Sequence, residues 1–135
     1  MTIQFSVDIQ NARNDAVEAI TGPTAVLKIR TGAQPATCAS ADTGISLSTM
    51  LLPTDWMANS SAGVKALLGS WTQEHAEATG YAGHFRIYKN GGVTCCMQGS
   101  VTATSGGGDL ELSSIYIESG YSVTITACNF TDGNP

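Results

Sequence analysis

Residues 81–104 read YAGHFRIYKNGGVTCCMQGSVTAT, and this stretch decides the fold class. On its first limb Tyr81, Gly83, Phe85 and Ile87 alternate with His84, Arg86 and Tyr88. A period of two gives a strand one apolar and one polar face. Asn90-Gly91 tolerates positive φ and sits between two alternating runs, which predicts a tight hairpin. The return limb, Val93 to Thr104, sets Val93, Cys95, Met97, Val101 and Ala103 inward, and Thr94, Cys96, Gln98, Ser100 and Thr102 outward.

The same period extends in both directions. Upstream, Thr24 to Arg30 alternates around Ala25, Leu27 and Ile29. Thr31 to Gly44 is a long loop of small residues containing Pro35 and Cys38. Ile45 to Leu52 alternates again until Pro53 ends it. Asp55-Trp56-Met57 begins a turn, with Trp56 plugging one end of the core, and Val64 to Thr72 reads as a strand ending in Trp71. Downstream, Ser105 to Asp109 turns the chain as a hairpin tip. Leu110 to Ile117 is a strand with a bulge at Ser113-Ser114, where the apolar parity flips. Ser119-Gly120 turns, Tyr121 to Phe130 closes the pattern, and Asp132 to Pro135 reads as a frayed tail. Seven or eight short strands at this spacing predict a mainly β protein: a single β-sandwich, jelly-roll or Greek-key like, over residues 23–135.

One α-helix precedes it, in an N-terminal segment of residues 1–22. Ser6 is a good N-cap, Asp8 falls in the first turn, and Gly22-Pro23 supplies the stop. Phe5, Ile9, Ala12, Ala16 and Ile20 recur at helical spacing, with Asn11, Arg13, Asn14, Asp15 and Glu18 on the other side. So narrow a stripe suits a helix that covers a sheet edge or meets a neighbouring subunit.

Composition narrows the function classes. The 135 residues carry a net charge of −5 with only six Lys plus Arg, none clustered, which excludes a nucleic-acid phosphate partner. No apolar run approaches the ~20 residues of a membrane-spanning helix. Met1-Thr2-Ile3-Gln4 opens neither a basic nor an apolar leader region, so a protein made and kept in a cytoplasm is expected. There Cys38, Cys95, Cys96 and Cys128 read as free thiols behaving like small apolar residues. None stands at zinc-ligand spacing from a histidine, so neither a metal nor another cofactor is expected.

No catalytic constellation emerges either. His75 sits among acidic neighbours in a polar connector, and His84 alternates onto the polar face as a surface residue. Cys95 or Cys96 with His84 is the only local nucleophile–base pairing, and it lacks a third orienting group. Gly106 to Gly108 lacks the Lys-Ser/Thr of a phosphate loop. The Thr-rich outer faces read either as solvated sheet or as low-charge surface suited to lie against another protein.

Taken in order, TIQFSVDIQNARNDAVEAI, AVLKIRTG, LPTDWM, AGHFRIYKNGG, QGSVTAT, GGGDL and TDGN span nearly the whole chain. This ordered set resembles a family of small structural proteins encoded by tailed bacteriophages and prophages. The resemblance implies a virion location and a non-enzymatic role. The foremost expectation is a capsid decoration or cement protein that binds the major capsid protein or other virion proteins and associates with itself. A tail, neck or fibre-attachment protein is the alternative within the virion. A glycan-binding module using Tyr81, Tyr88, Tyr116 and Tyr121 is the alternative from another class. Contact residues are expected in the segment Thr2 to Ile20 and the loop Thr31 to Gly44, with Phe5, Ile9, Arg13, Cys38, Trp56 and Tyr88 as interface candidates.

Overall fold

The computed structural model describes residues 3–131, so Thr2 and the expected tail from Asp132 to Pro135 lie outside the described residues. Among the described residues the chain forms one helix, α1 (Val7–Thr21), and nine strands. These are β1 (Val26–Thr31), β2 (Ser46–Leu51), β3 (Val64–Ala66), β4 (Thr72–Gln73), β5 (Gly80–Lys89), β6 (Thr94–Ala103), β7 (Leu110–Leu112), β8 (Tyr116–Ile117) and β9 (Val123–Thr131). The protein is mainly β with a single N-terminal helix, as its alternation predicts.

The strands form one hydrogen-bonded sheet in the order β2-β1-β5-β6-β7-β9-β3, with β4 also on β9 and β8 on β5. The sheet curls until its far parts meet. Ser48 on β2 donates its hydroxyl to the side-chain oxygen of Gln73 on β4, and Thr49 N–H donates to the same oxygen at 3.1 Å. Glu77 N–H reaches the Leu47 carbonyl at 2.9 Å. Leu27, Ile29, Leu47, Phe85 and Ile87 thereby share one core with Trp71, Leu110, Leu112, Val123 and Ile125.

Several local expectations change. The strand expected over Val64 to Thr72 is two short ones, β3 and β4, both paired with β9 and separated by residues 67–71. The hairpin after β5 has a four-residue loop, Asn90 to Val93, because Asn90, Gly91 and Gly92 all take positive φ and a two-residue turn uses only two such positions. Ser105 to Asp109 is no hairpin tip, since β6 and β7 run parallel with Val101 opposite Leu110. Asp109 sets that return by accepting both the N–H (2.9 Å) and the hydroxyl (2.8 Å) of Ser100. Ser113-Ser114 is a break rather than a bulge, because β7 pairs with β9 while β8 crosses to β5.

Helix α1 is capped as read. Ser6 Oγ accepts from Ile9 N–H, and Gly22, at φ 82°, donates its N–H to Glu18 O at 2.8 Å. Its orientation is the surprise. The inward residues are Gln10, Asn14 and Thr21, while Phe5, Ile9 and Ile20 are 36%, 47% and 67% exposed. The apolar stripe faces solvent because the connector beneath the helix offers backbone groups rather than apolar side chains. Gly63 donates its N–H to Asn11 Oδ1 at 2.9 Å, and its carbonyl accepts from Asn14 Nδ2 at 2.8 Å. Ser60 N–H reaches Asp15 Oδ1 at 2.9 Å and Met57 N–H reaches Glu18 Oε1 at 3.2 Å. Buried backbone groups require partners, and here the polar side of the helix supplies them.

Candidate functional site

The second face of β5, expected to be wet, is closed over. His84, Arg86 and Tyr88 are buried beneath the loop that follows β1. Arg86, 2% exposed, is the strap. Its Nη2 donates to the carbonyls of Thr37, Cys38 and Ser40 at 3.0–3.1 Å, its Nε to Gln98 Oε1 at 3.2 Å, and its Nη1 to the Asp42 carboxylate. Tyr88 donates its hydroxyl to the same carboxylate. Burial works to raise the Asp42 carboxyl, yet the bonds from Tyr88 and Arg86, with the charges of Arg30 and Arg86, hold it below the ordinary value. Burial first, and then Asp42, push the Tyr88 phenol up to about 12. His84 corrects its sequence reading as a surface residue: it is fully buried, with Nδ1 2.8 Å from the Gly32 carbonyl. Its Nε2 has no hydrogen-bond partner among the described residues.

A shift in the β5–β6 register moves one more residue onto this face. Tyr88 pairs with Cys95 whereas Ile87 pairs with Met97, leaving Cys96 as the extra residue of a bulge. Cys95 therefore shares the side of Tyr88 and Arg86 rather than that of Met97, contrary to the simple alternation. Cys38, Ser40, Asp42, Arg86, Tyr88 and Cys95 line an open hollow of about 540 Å³ at this place.

The interface candidates separate into three groups. Phe5, Ile9 and Arg13 come together on the outward side of α1, with the Arg13 guanidinium 4.7 Å from the centre of the Phe5 ring. Cys38 and Tyr88 meet at the strapped loop, where Tyr88 is buried with its hydroxyl committed to Asp42, which corrects its placement as an exposed contact or glycan residue. Trp56 is fully buried, its ring packed at a tilt against Trp71 with centres 5.9 Å apart, and it donates its indole N–H to Gly22 O at 3.2 Å. It holds the end of α1 to the core and is removed from the contact set. The sequence reading missed the Arg86–Asp42 strap. An arginine at an alternating strand position was its only signal, and the covering loop gave none.

A third surface carries the exposed aromatics. Tyr81 and Tyr116 pack at 5.3 Å between ring centres, and Tyr116, Glu118 and Tyr121 border a hollow of about 200 Å³. Among the described residues no group of three or more His, Cys, Asp or Glu is placed to hold a metal ion. No helix is long and apolar enough to cross a membrane among the described residues. Comparison of the chain with family models, with curated proteins and with solved structures finds no match.

Proposed function

We propose that this chain is a non-enzymatic structural protein of a tailed-phage particle, a decoration or cement protein that docks on the major capsid protein through the outward face of α1. The observation that carries this reading is the inverted helix. Its apolar stripe is presented to solvent while its polar side is used internally, so the face is not needed for the chain's own core. Ile3 and Val7, at the N-terminal end of the helix, are exposed as well, and exposed apolar side chains gathered in number mark interaction surfaces. Low charge density limits the desolvation cost of laying such a surface against a shell. Repetition over a symmetric particle multiplies a weak contact by avidity. The resemblance of the ordered segments to phage structural proteins supplies the context.

The test is stoichiometry of purified particles combined with rebinding to stripped or expanded shells. Decoration predicts on the order of hundreds of copies, whereas a neck or tail-tip component is present at roughly a dozen. The reading fails if purified shells do not rebind the chain, or rebind an Ile9→Asp/Ile20→Asp variant as well as the parent.

The tyrosine surface favours a second reading, recognition of a host glycan. Exposed rings suit the apolar faces of sugars, and Tyr116 and Tyr121 are exposed beside a hollow that also holds Glu118, with exposed Tyr81 packed on Tyr116. Glycan-array binding that disappears in Tyr116→Ala, with shell rebinding absent, selects this function over decoration.

A further inference from the structure

We propose that Cys38 and Cys95 are a disulfide-forming pair whose oxidation bonds the loop over β5 covalently to strand β6. Four observations converge on it. The bulge at Cys95-Cys96 turns Cys95 onto the loop-covered face. Arg86 Nη2 holds the Cys38 carbonyl at 3.0 Å and those of Thr37 and Ser40 at 3.1 Å, so the loop is already docked before any bond forms. The Cys38 side chain is near enough to the Cys95 thiol to raise it further, beyond the effect of burial. Both residues line the same open hollow, through which a small reagent reaches them.

The other thiols are placed elsewhere. Cys128 is buried in the core, and Cys96 lines a separate hollow against Ala16 and Ile20 of α1. A bond between the adjacent Cys95 and Cys96 is disfavoured, because Cα atoms about 3.8 Å apart fall short of the usual disulfide span. The structure therefore selects one pairing out of the six that four cysteines allow.

The oxidant is a low-molecular-weight disulfide such as oxidised glutathione. The Cys38 thiolate attacks one of its sulfurs, forming a mixed disulfide and releasing one glutathione thiolate, which takes up a proton. Cys95 then loses its proton and attacks the Cys38 sulfur, expelling the second glutathione. Two protein thiols and one small disulfide become one protein disulfide and two small thiols, with two electrons passing to the reagent. Burial, then Cys38, push the Cys95 thiol up to about 12 in the reduced chain; the mixed disulfide removes the Cys38 part and leaves burial to hold the thiol up, which slows the second step at neutral pH. Its rate rises about tenfold per pH unit below the pKa of the thiol, because the thiolate fraction does.

The experiment incubates the full chain in a defined mixture of oxidised and reduced glutathione at pH 8, followed by non-reducing peptide mapping and a thermal melt. The expected product is a monomer two hydrogens lighter, with the peptides of Cys38 and Cys95 joined. Its Tm should be higher by about 10 °C, a gain reversed by dithiothreitol, since the bond closes a long loop of the unfolded chain. Cys96→Ser should oxidise identically and Cys38→Ser not at all. A crosslink between any other pair, glutathione adducts without ring closure, or a joined product with unchanged Tm overturns the proposal. The map of the parent chain carries the test, so it does not depend on a variant folding.

Discussion

An alanine at Gly83 would set its Cβ on the carbonyl oxygen of Gly32, where the chain leaves β1 and the β1–β5 register shifts. The obstacle is backbone, which cannot rotate aside, so Gly83→Ala is expected to lower stability by about 2–4 kcal/mol. A shift of the denaturant midpoint at unchanged slope checks this. Arg86 is the second residue with an outsized role. Arg86→Met retains bulk but leaves Asp42 with Tyr88 and Arg30 alone and takes the guanidinium from three loop carbonyls, at a cost of about 3 kcal/mol. Faster hydrogen exchange at residues 37–42 should accompany it, since those amides lie on the strapped loop. Side-chain alternation along 84–88 was legible in the sequence, and Phe85 and Ile87 lie in the core as read, whereas the register shift at Gly83 turns Tyr81 outward, 65% exposed, and puts Ala82 in the core instead. That Arg86 and His84 are also buried was not, because burial of the second face depends on a loop that begins some fifty residues earlier.

At the scale of an element, α1 shows why periodicity gives a helix but not its facing. Cap, length and stop were all readable from Ser6, Asp8 and Gly22-Pro23. The stripe was readable too. The missing information is what lies beneath, and a connector rich in unpaired backbone groups attracts Asn11, Asn14, Asp15 and Glu18 more strongly than an Ala-rich stripe attracts anything. This orientation reverses the usual mutational pattern. Ile9→Gln with Ile20→Gln should change unfolding free energy by no more than about 0.5 kcal/mol, as expected of surface positions, while abolishing shell rebinding. Conversely, Asp15→Asn with Glu18→Gln strands Lys65, whose side chain is 1% exposed and lies 2.8 Å and 3.0 Å from the two carboxylates. Isolating that ammonium should cost about 3 kcal/mol. An equilibrium unfolding curve for each double variant separates the two expectations, and an inward-facing stripe would give the opposite ranking.

At the scale of the whole molecule, two carboxylates fasten the parts that the rolled sheet does not. Asp15 joins helix to connector, and Asp42 joins loop to strand. The Lys65 ammonium, then the Ser60 N–H, lower the Asp15 carboxyl from 3.8 to about 2, and Asp42 is likewise below 3.8. Both native values lie below the unfolded one, so over that interval the unfolded chain binds more protons and acid favours unfolding. The contribution is fully present above about pH 5 and is lost as pH falls through 4 toward 2. The Asp15 side chain is 45% exposed and that of Asp42 34%, so solvent screening reduces both contributions. The urea midpoint should therefore be level from pH 7 to 5 and fall steeply below 4. Asp42→Asn should lower the plateau and flatten the descent. A parent chain whose midpoint stays level down to pH 3 would mean that the strap does not hold the loop in solution.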